Sequence, residues 1–179
     1  MKRLTFTIVL FLLIGFTYSC DENTTQKNDL TLMGFHGNIE TIVQTEYNLS
    51  TKFGKEFIVG LGDKIINEFN NDGNMIEQNR YDSDGELESK RKYTHDENGN
   101  MIEMNWYDSD GELWVKWKCT YDENGNMIEE RKYDSDGELM EKYTYTYDEN
   151  GNIIEERKYE VYGVLEEPIM LIKYEFTYR

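Results

Sequence analysis

The sequence predicts an all-β chain: an antiparallel meander of β-hairpins forming a curved, largely single-layer repeat sheet. Three observations predict it. A period of 26 residues runs through the C-terminal part, and residues 81–106, 107–132 and 133–158 each read Y-D-S-D-G-E-L and then D-E-N-G-N. Each copy holds two D-x-x-G marks, a spacing that favours a type I turn closed by a glycine in the left-handed region. Between the marks lie 8 or 10 residues rich in Tyr, Thr, Ile and Lys, a strand composition.

The chain opens on Met1-Lys2-Arg3 and then carries no charge over residues 4–16. Thirteen residues fall short of the ~20 that span a bilayer as a helix and fit the h-region of a signal peptide. Thr17-Tyr18-Ser19-Cys20 follows. A small residue directly before a cysteine, just after an h-region, resembles a bacterial lipobox. Thr17 and Tyr18 stand where that motif prefers an aliphatic and a small residue. The resemblance implies a signal peptide over 1–19 and lipid attachment at Cys20; the alternative is an ordinary signal peptide with an incidental cysteine. Asp21-Glu22 resembles the surface-export signal of Bacteroidetes-type lipoproteins. It implies a lipid-anchored protein of the bacterial outer membrane or cell surface, joined to the membrane through N-terminal acyl chains. Residues 20–32 then form a tether, because 21–29 (DENTTQKND) are polar. Without Lys2 and Arg3 the net charge is −19, so the body is repelled from anionic lipid.

Residues 33–68 read as capping strands. Asn38–Tyr47 alternates as one strand, and 51–69 (TKFGKEFIVGLGDKIINEF) supply two more. They cover one end of the repeat, where an open sheet edge would invite aggregation. The repeat sheet spans 69–179. It starts with a half copy at 69–80 and ends in a degraded copy at 159–179, whose Pro168 belongs on an edge strand.

Register follows from placing Asp108 opposite Glu112. Tyr107 then faces Leu113 and Trp106 faces Trp114. The same count sets Arg80 opposite Glu88, Glu77 opposite Arg91, Arg131 opposite Glu141 and Glu130 opposite Lys142. Across the DENG turns, Lys118 faces Glu130, Trp117 faces Arg131 and Tyr143 faces Arg157. Most of these pairs are opposite charges or cation–π partners; Lys116–Lys132 and Lys142–Lys158 are like-charged exceptions. On this count one face gathers the aromatics, among them Tyr93, Tyr107, Trp117, Tyr133, Tyr143 and Tyr145. The other is a charge ladder with Trp106, Trp114 and an Ile row at 76, 102, 128 and 154.

Composition excludes several functions. With 19 Lys plus Arg against 36 Asp plus Glu, the formal net charge of −17 speaks against nucleic acid as a partner. Two cysteines do not make a disulfide scaffold. The D-S-D-G turns fail the EF-hand spacing: with Gly111 as the loop glycine, Trp106 and Trp117 fall where Asp and Glu are required. Neighbouring D-S-D-G turns lie two strands apart, roughly 9.5 Å, too far for one ion. His95 takes the place of Tyr121 and Tyr147 in later copies, and Cys119 that of Tyr93 and Tyr145. No catalytic triad, zinc spacing or phosphate loop appears, so we expect no enzyme, cofactor or metal. The chemistry-bearing feature is aromatic. Trp106, Trp114 and Trp117, with Tyr143, form the candidate ligand patch, because exposed rings stack on sugars and contact proteins. Cross-strand packing that stiffens the sheet is the alternative role for them.

The Y-D-x-x-G-x-hydrophobic spacing over residues 69–179 resembles the YD-repeat (Rhs-type) family. The leader GFHGNIETIVQTEY (34–47) resembles the entry strand of small repeat lipoproteins of the Bacteroidetes type. The family uses such repeats as shells, adhesins or carbohydrate-binding surfaces; about four copies are too few to close a shell. The resemblance implies a surface-anchored, non-enzymatic lipoprotein that binds an extracellular glycan or protein. The alternatives are an immunity or accessory partner of a secreted toxin, which an acidic surface suits, and a structural spacer.

Overall fold

The computed structural model describes residues 28–163 and 165–177; the expected signal peptide and Cys20 lie outside these. Ten strands form one antiparallel sheet in strict chain order. They are β1 (Thr41–Lys52), β2 (Lys55–Phe69), β3 (Met75–Tyr81), β4 (Leu87–His95), β5 (Met101–Tyr107), β6 (Leu113–Tyr121), β7 (Met127–Asp134), β8 (Leu139–Tyr147), β9 (Ile153–Tyr162) and β10 (Leu165–Lys173). Each strand pairs only with its chain neighbours, so the meander is a single open layer with β1 and β10 as its edges.

The repeated turns explain the regularity. In the turn after β3, Gly85 donates its N–H to the Asp82 carbonyl at 3.1 Å, and Gly85 has φ +84°. Asp82 Oδ1 accepts from the backbone N–H of Asp84 and Glu86, both at 2.9 Å. Asp is needed to accept these two bonds, and Gly to adopt the left-handed backbone. The same pattern recurs in the turns opened by Asp96, Asp108, Asp122, Asp134 and Asp148. D-S-D-G turns line one edge of the sheet and D-E-N-G turns the other. In the last copy Glu160 replaces the Asp, and Leu165 pairs directly with Tyr162 across a tighter connection.

The expected register is off by one beyond each turn. Tyr107 does face Leu113, but Trp106 faces Val115 and Trp114 is an extra, bulged residue. Ile76, Glu88, Ile102, Ile128, Met140 and Ile154 are extra in the same way. Arg80 therefore faces Ser89, Glu77 faces Lys92, Lys118 faces Arg131 and Trp117 faces Lys132. Likewise Glu130 faces Tyr143, Arg131 faces Lys142 and Tyr143 faces Lys158. A bulge one residue in from each turn between 70–73 and 148–151 shifts the pairing that follows it. It separates both expected like-charged pairs, with Lys116 and Lys142 facing Tyr133 and Tyr159, and sets Arg131 between Lys118 and Lys142 instead.

The shift also redistributes the faces, because side chains alternate. The first face carries Arg91, Tyr93, Met104, Trp106, Val115, Trp117, Cys119, Glu130, Lys132, Tyr143, Tyr145 and Lys158. The second carries Glu77, Tyr81, Lys90, Glu103, Tyr107, Lys116, Glu129, Arg131, Tyr133 and Lys142. The aromatics are thus split between the faces, and Trp106 shares the first face with Trp117.

The N-terminal part differs from expectation in two ways. Residues 51–69 hold one strand rather than two, because β1 continues to Lys52 and β2 runs unbroken from Lys55. Phe53 (φ 54°) and Gly54 (φ 72°) make the two-residue turn between them. β2 pairs with β3 only from Lys64 onward, so the rest of the β1–β2 hairpin projects beyond the repeat sheet as an arm. The expected tether also ends in structure. A one-turn helix, α1 (Asp29–Leu32), is capped by Asn28, whose side chain accepts from the Thr31 N–H at 3.0 Å. Leu30 is buried, as is Phe69, and α1 docks on the D-E-N-G edge, where the Leu30 N–H donates to the Gly73 carbonyl at 3.1 Å. In the C-terminal edge strand β10, Pro168 sits next to a bulge, as an edge strand allows.

Candidate aromatic binding face

Every second hairpin of the first face carries a cation–π rung at the same repeat position. Arg91 lies 4.3 Å from the Trp106 ring centre, Lys132 5.2 Å from Trp117 and Lys158 5.4 Å from Tyr143. The cation follows the ring in two rungs and precedes it in the first. Each rung contributes roughly 0.5–1 kcal/mol at such half-open sites. Trp106, Trp117 and Tyr143 are half-buried here and hold the sheet.

Trp114 is different. The bulge frees it from the ladder and leaves it 57% exposed. Its ring meets Trp106 edge-on, with centroids 4.8 Å apart and planes at 69°. The structure therefore brings all four candidate residues to one face, with Trp117 diagonal to Trp106 and Tyr143 two strands further on. Only Trp114 offers a largely open ring. A platform of this kind stacks on a flat, weakly polar partner.

The centre of this face carries no reactive thiol. Val115 and Cys119 are buried. Burial, then the neighbouring Glu130 carboxylate, pushes the Cys119 thiol up to about 12, so it stays a thiol at neutral pH. Burial also raises Glu130, whose Oε2 accepts from the Tyr145 hydroxyl at 3.3 Å. Burial and the Glu130 carboxylate raise Tyr145 in turn.

The second face is a charge ladder. Lys90 reaches Glu77 at 2.9 Å and Lys142 reaches Glu129 at 3.3 Å, two 26-residue periods apart. Arg131 Nε donates to Glu129 at 2.6 Å and Arg157 Nε to Glu155 at 2.6 Å. The Arg131 guanidinium holds the Glu129 carboxyl below its usual range. The Asn126 side chain does the same for Asp122 in its turn. A carboxyl held low in the fold contributes stability above its unfolded value, near 4, and loses it as pH falls through its folded value. We expect wild type to lose more stability than Glu129→Gln between about pH 5 and pH 3. Comparing the two chains by thermal melts cancels the relief of overall negative charge on acidification. Equal losses would show that Glu129 makes no such contribution.

The D-E-N-G edge carries a second ladder, of asparagines. Asn100, Asn126 and Asn152 each donate Nδ2 to the Asp that opens their own turn, at 3.0–3.1 Å. Asn74, Asn100 and Asn126 each lie against the glycine of the next turn: Gly99, Gly125 and Gly151. Tyr121 and Tyr147 tie successive copies together, donating to the carbonyls of Met101 and Met127 at 2.8 and 2.7 Å. The sequence marked these residues only as a repeat. The signal was the residue after the glycine, Asn in one turn class and Glu in the other. His95, a mere substitution by sequence, has a side chain only 6% exposed and contacts Asp29, which also accepts the Met75 N–H at 2.7 Å.

No protein-family model matches the chain, and no curated protein matches it. Similar solved structures include a protein of unknown function from Bacteroides fragilis, at 16% identity and a TM-score of 0.44 over 73% of this chain and 92% of that one. The TcdB2–TccC3 structure has 16% identity and a TM-score of 0.47; 72% of this chain matches 9% of that one. A porin-like protein from Bacteroides uniformis has 12% identity and a TM-score of 0.39, over 73% of this chain and 47% of that one.

Proposed function

We propose that the chain is a non-enzymatic, surface-anchored binding protein that uses its first face to hold an extracellular glycan or protein. The observation that carries this reading is Trp114: the bulge presents its ring to solvent beside Trp106 rather than packing it. Anchoring rests on the lipobox-like Ser19-Cys20 of the sequence. The test is binding of the mature chain, from Cys20 onward, to surface polysaccharides and to secreted proteins. Trp114→Ala is expected to weaken binding by roughly tenfold or more, in keeping with 1–3 kcal/mol for a stacked ring. Undiminished binding would remove the Trp patch from the reading.

The arm favours a second reading, an accessory partner of another protein. Tyr47, Leu49, Phe57, Ile58 and Leu61 are each more than half exposed there, and Phe53 at the tip is 94% exposed. A chain with net charge −17 has few reasons to display such residues except contact. Leu49→Ser with Ile58→Ser separates the two: it abolishes partner binding on the second reading and leaves binding by the first face, to glycan or protein, intact on the first.

A further inference from the structure

The N-terminal segment occupies the place of a missing repeat turn. Asn74, Asn100 and Asn126 each cover the glycine of the following turn, and Asn28 covers Gly73 in the same manner, donating Nδ2 to the Asp72 carbonyl at 2.6 Å. In later copies Tyr121 and Tyr147 reach the carbonyl of the methionine twenty residues earlier. In the first copy that methionine is Met75 and the Tyr position is His95. Here Asp29 stands between them, accepting the Met75 N–H at 2.7 Å and lying 3.2 Å from His95 Nε2. The ring is shorter than a Tyr side chain and leaves room for the carboxylate. The repeat thus departs from Tyr in the very copy against which residues 28–30 dock.

We infer that residues 28–30 are a latch, held by Gly73, Met75 and His95, that pins the tether to the D-E-N-G edge and so decides which edge of the sheet faces the anchor. The eight residues from Cys20 to Lys27 reach at most about 28 Å. The arm tip lies about 46 Å from the latched edge, fourteen strand steps along β2. Trp106 and Trp114 flank the turn at 108–112, on the opposite edge from the latch. The D-S-D-G edge, with the arm and the Trp pair, therefore points away from the attachment point, toward partners. This orientation rests on the anchoring reading above; the latch itself does not.

A spin label on Cys20 of the mature chain tests it, because Cys119, the other cysteine of the sequence, is buried. With the latch closed, amide signals at 70–74 and 96–100 are lost and those at 52–55 are kept. His95→Tyr restores the residue of the later copies, whose longer side chain, its hydroxyl donating to the Met75 carbonyl, takes the space that Asp29 occupies while the sheet is preserved. In that variant the signals at 70–74 and 96–100 are expected to return. Broadening spread evenly over both edges of the wild-type chain, or unchanged by His95→Tyr, would overturn the latch. Acylation of Cys20, read by mass spectrometry of membrane fractions, tests anchoring separately: a retained label pattern without acylation would leave the latch standing and remove the membrane-facing edge.

Discussion

Gly73→Ala is expected to cost about 3 kcal/mol of stability, against about 1–2 for Gly85→Ala, although both glycines have the same backbone. Gly73 has φ +80° and Gly85 φ +84°, so each substitution pays the left-handed cost of an L side chain. The surroundings separate them. A Cβ on Gly85 meets nothing within 4 Å, whereas one on Gly73 lies 2.8 Å from Asn28 Cγ. Asn28 cannot swing aside cheaply, because its amide is held at both ends, by the Thr31 N–H and the Asp72 carbonyl. Displacing it removes the cap of α1 and exposes Leu30. Chemical denaturation of the two variants measures the gap. Equal losses would mean that α1 contributes nothing to the stability of the sheet.

Trp106→Ala is expected to cost about 2–3 kcal/mol, and Trp114→Ala about 1 or less. The two rings touch, yet only Trp106 is held in the ladder, between Arg91 and Val115. Removing it strips the stacking partner from Arg91, whose Nε is buried without a hydrogen bond. Removing Trp114 takes away an exposed ring and one edge-on contact. Thermal melts and binding assays on the same two variants separate support from recognition. If Trp114→Ala proved the more destabilising, the bulged ring would be structural and the candidate site would lose its platform.

Much of this architecture was legible because the repeat writes it out three times. Asp and Gly three residues apart dictate each turn, and the composition between them dictates strands. The register was not legible, since a bulge just beyond each D-x-x-G turn inserts one residue without any mark in composition. That single residue moves Trp106 to the face of Trp117 and releases Trp114 from the ladder. His95 and Asp29, 66 positions apart, gave no sign of meeting.

By itself, the sequence determined the meander, its turns and its acidic character. All three follow from local backbone preference and charge, which need no distant partner. Tertiary structure alone decided which side chains share a face, where the arm leaves the sheet and how residues 28–30 complete the edge. Those outcomes depend on pairing between strands, and one inserted residue reverses every face that follows it.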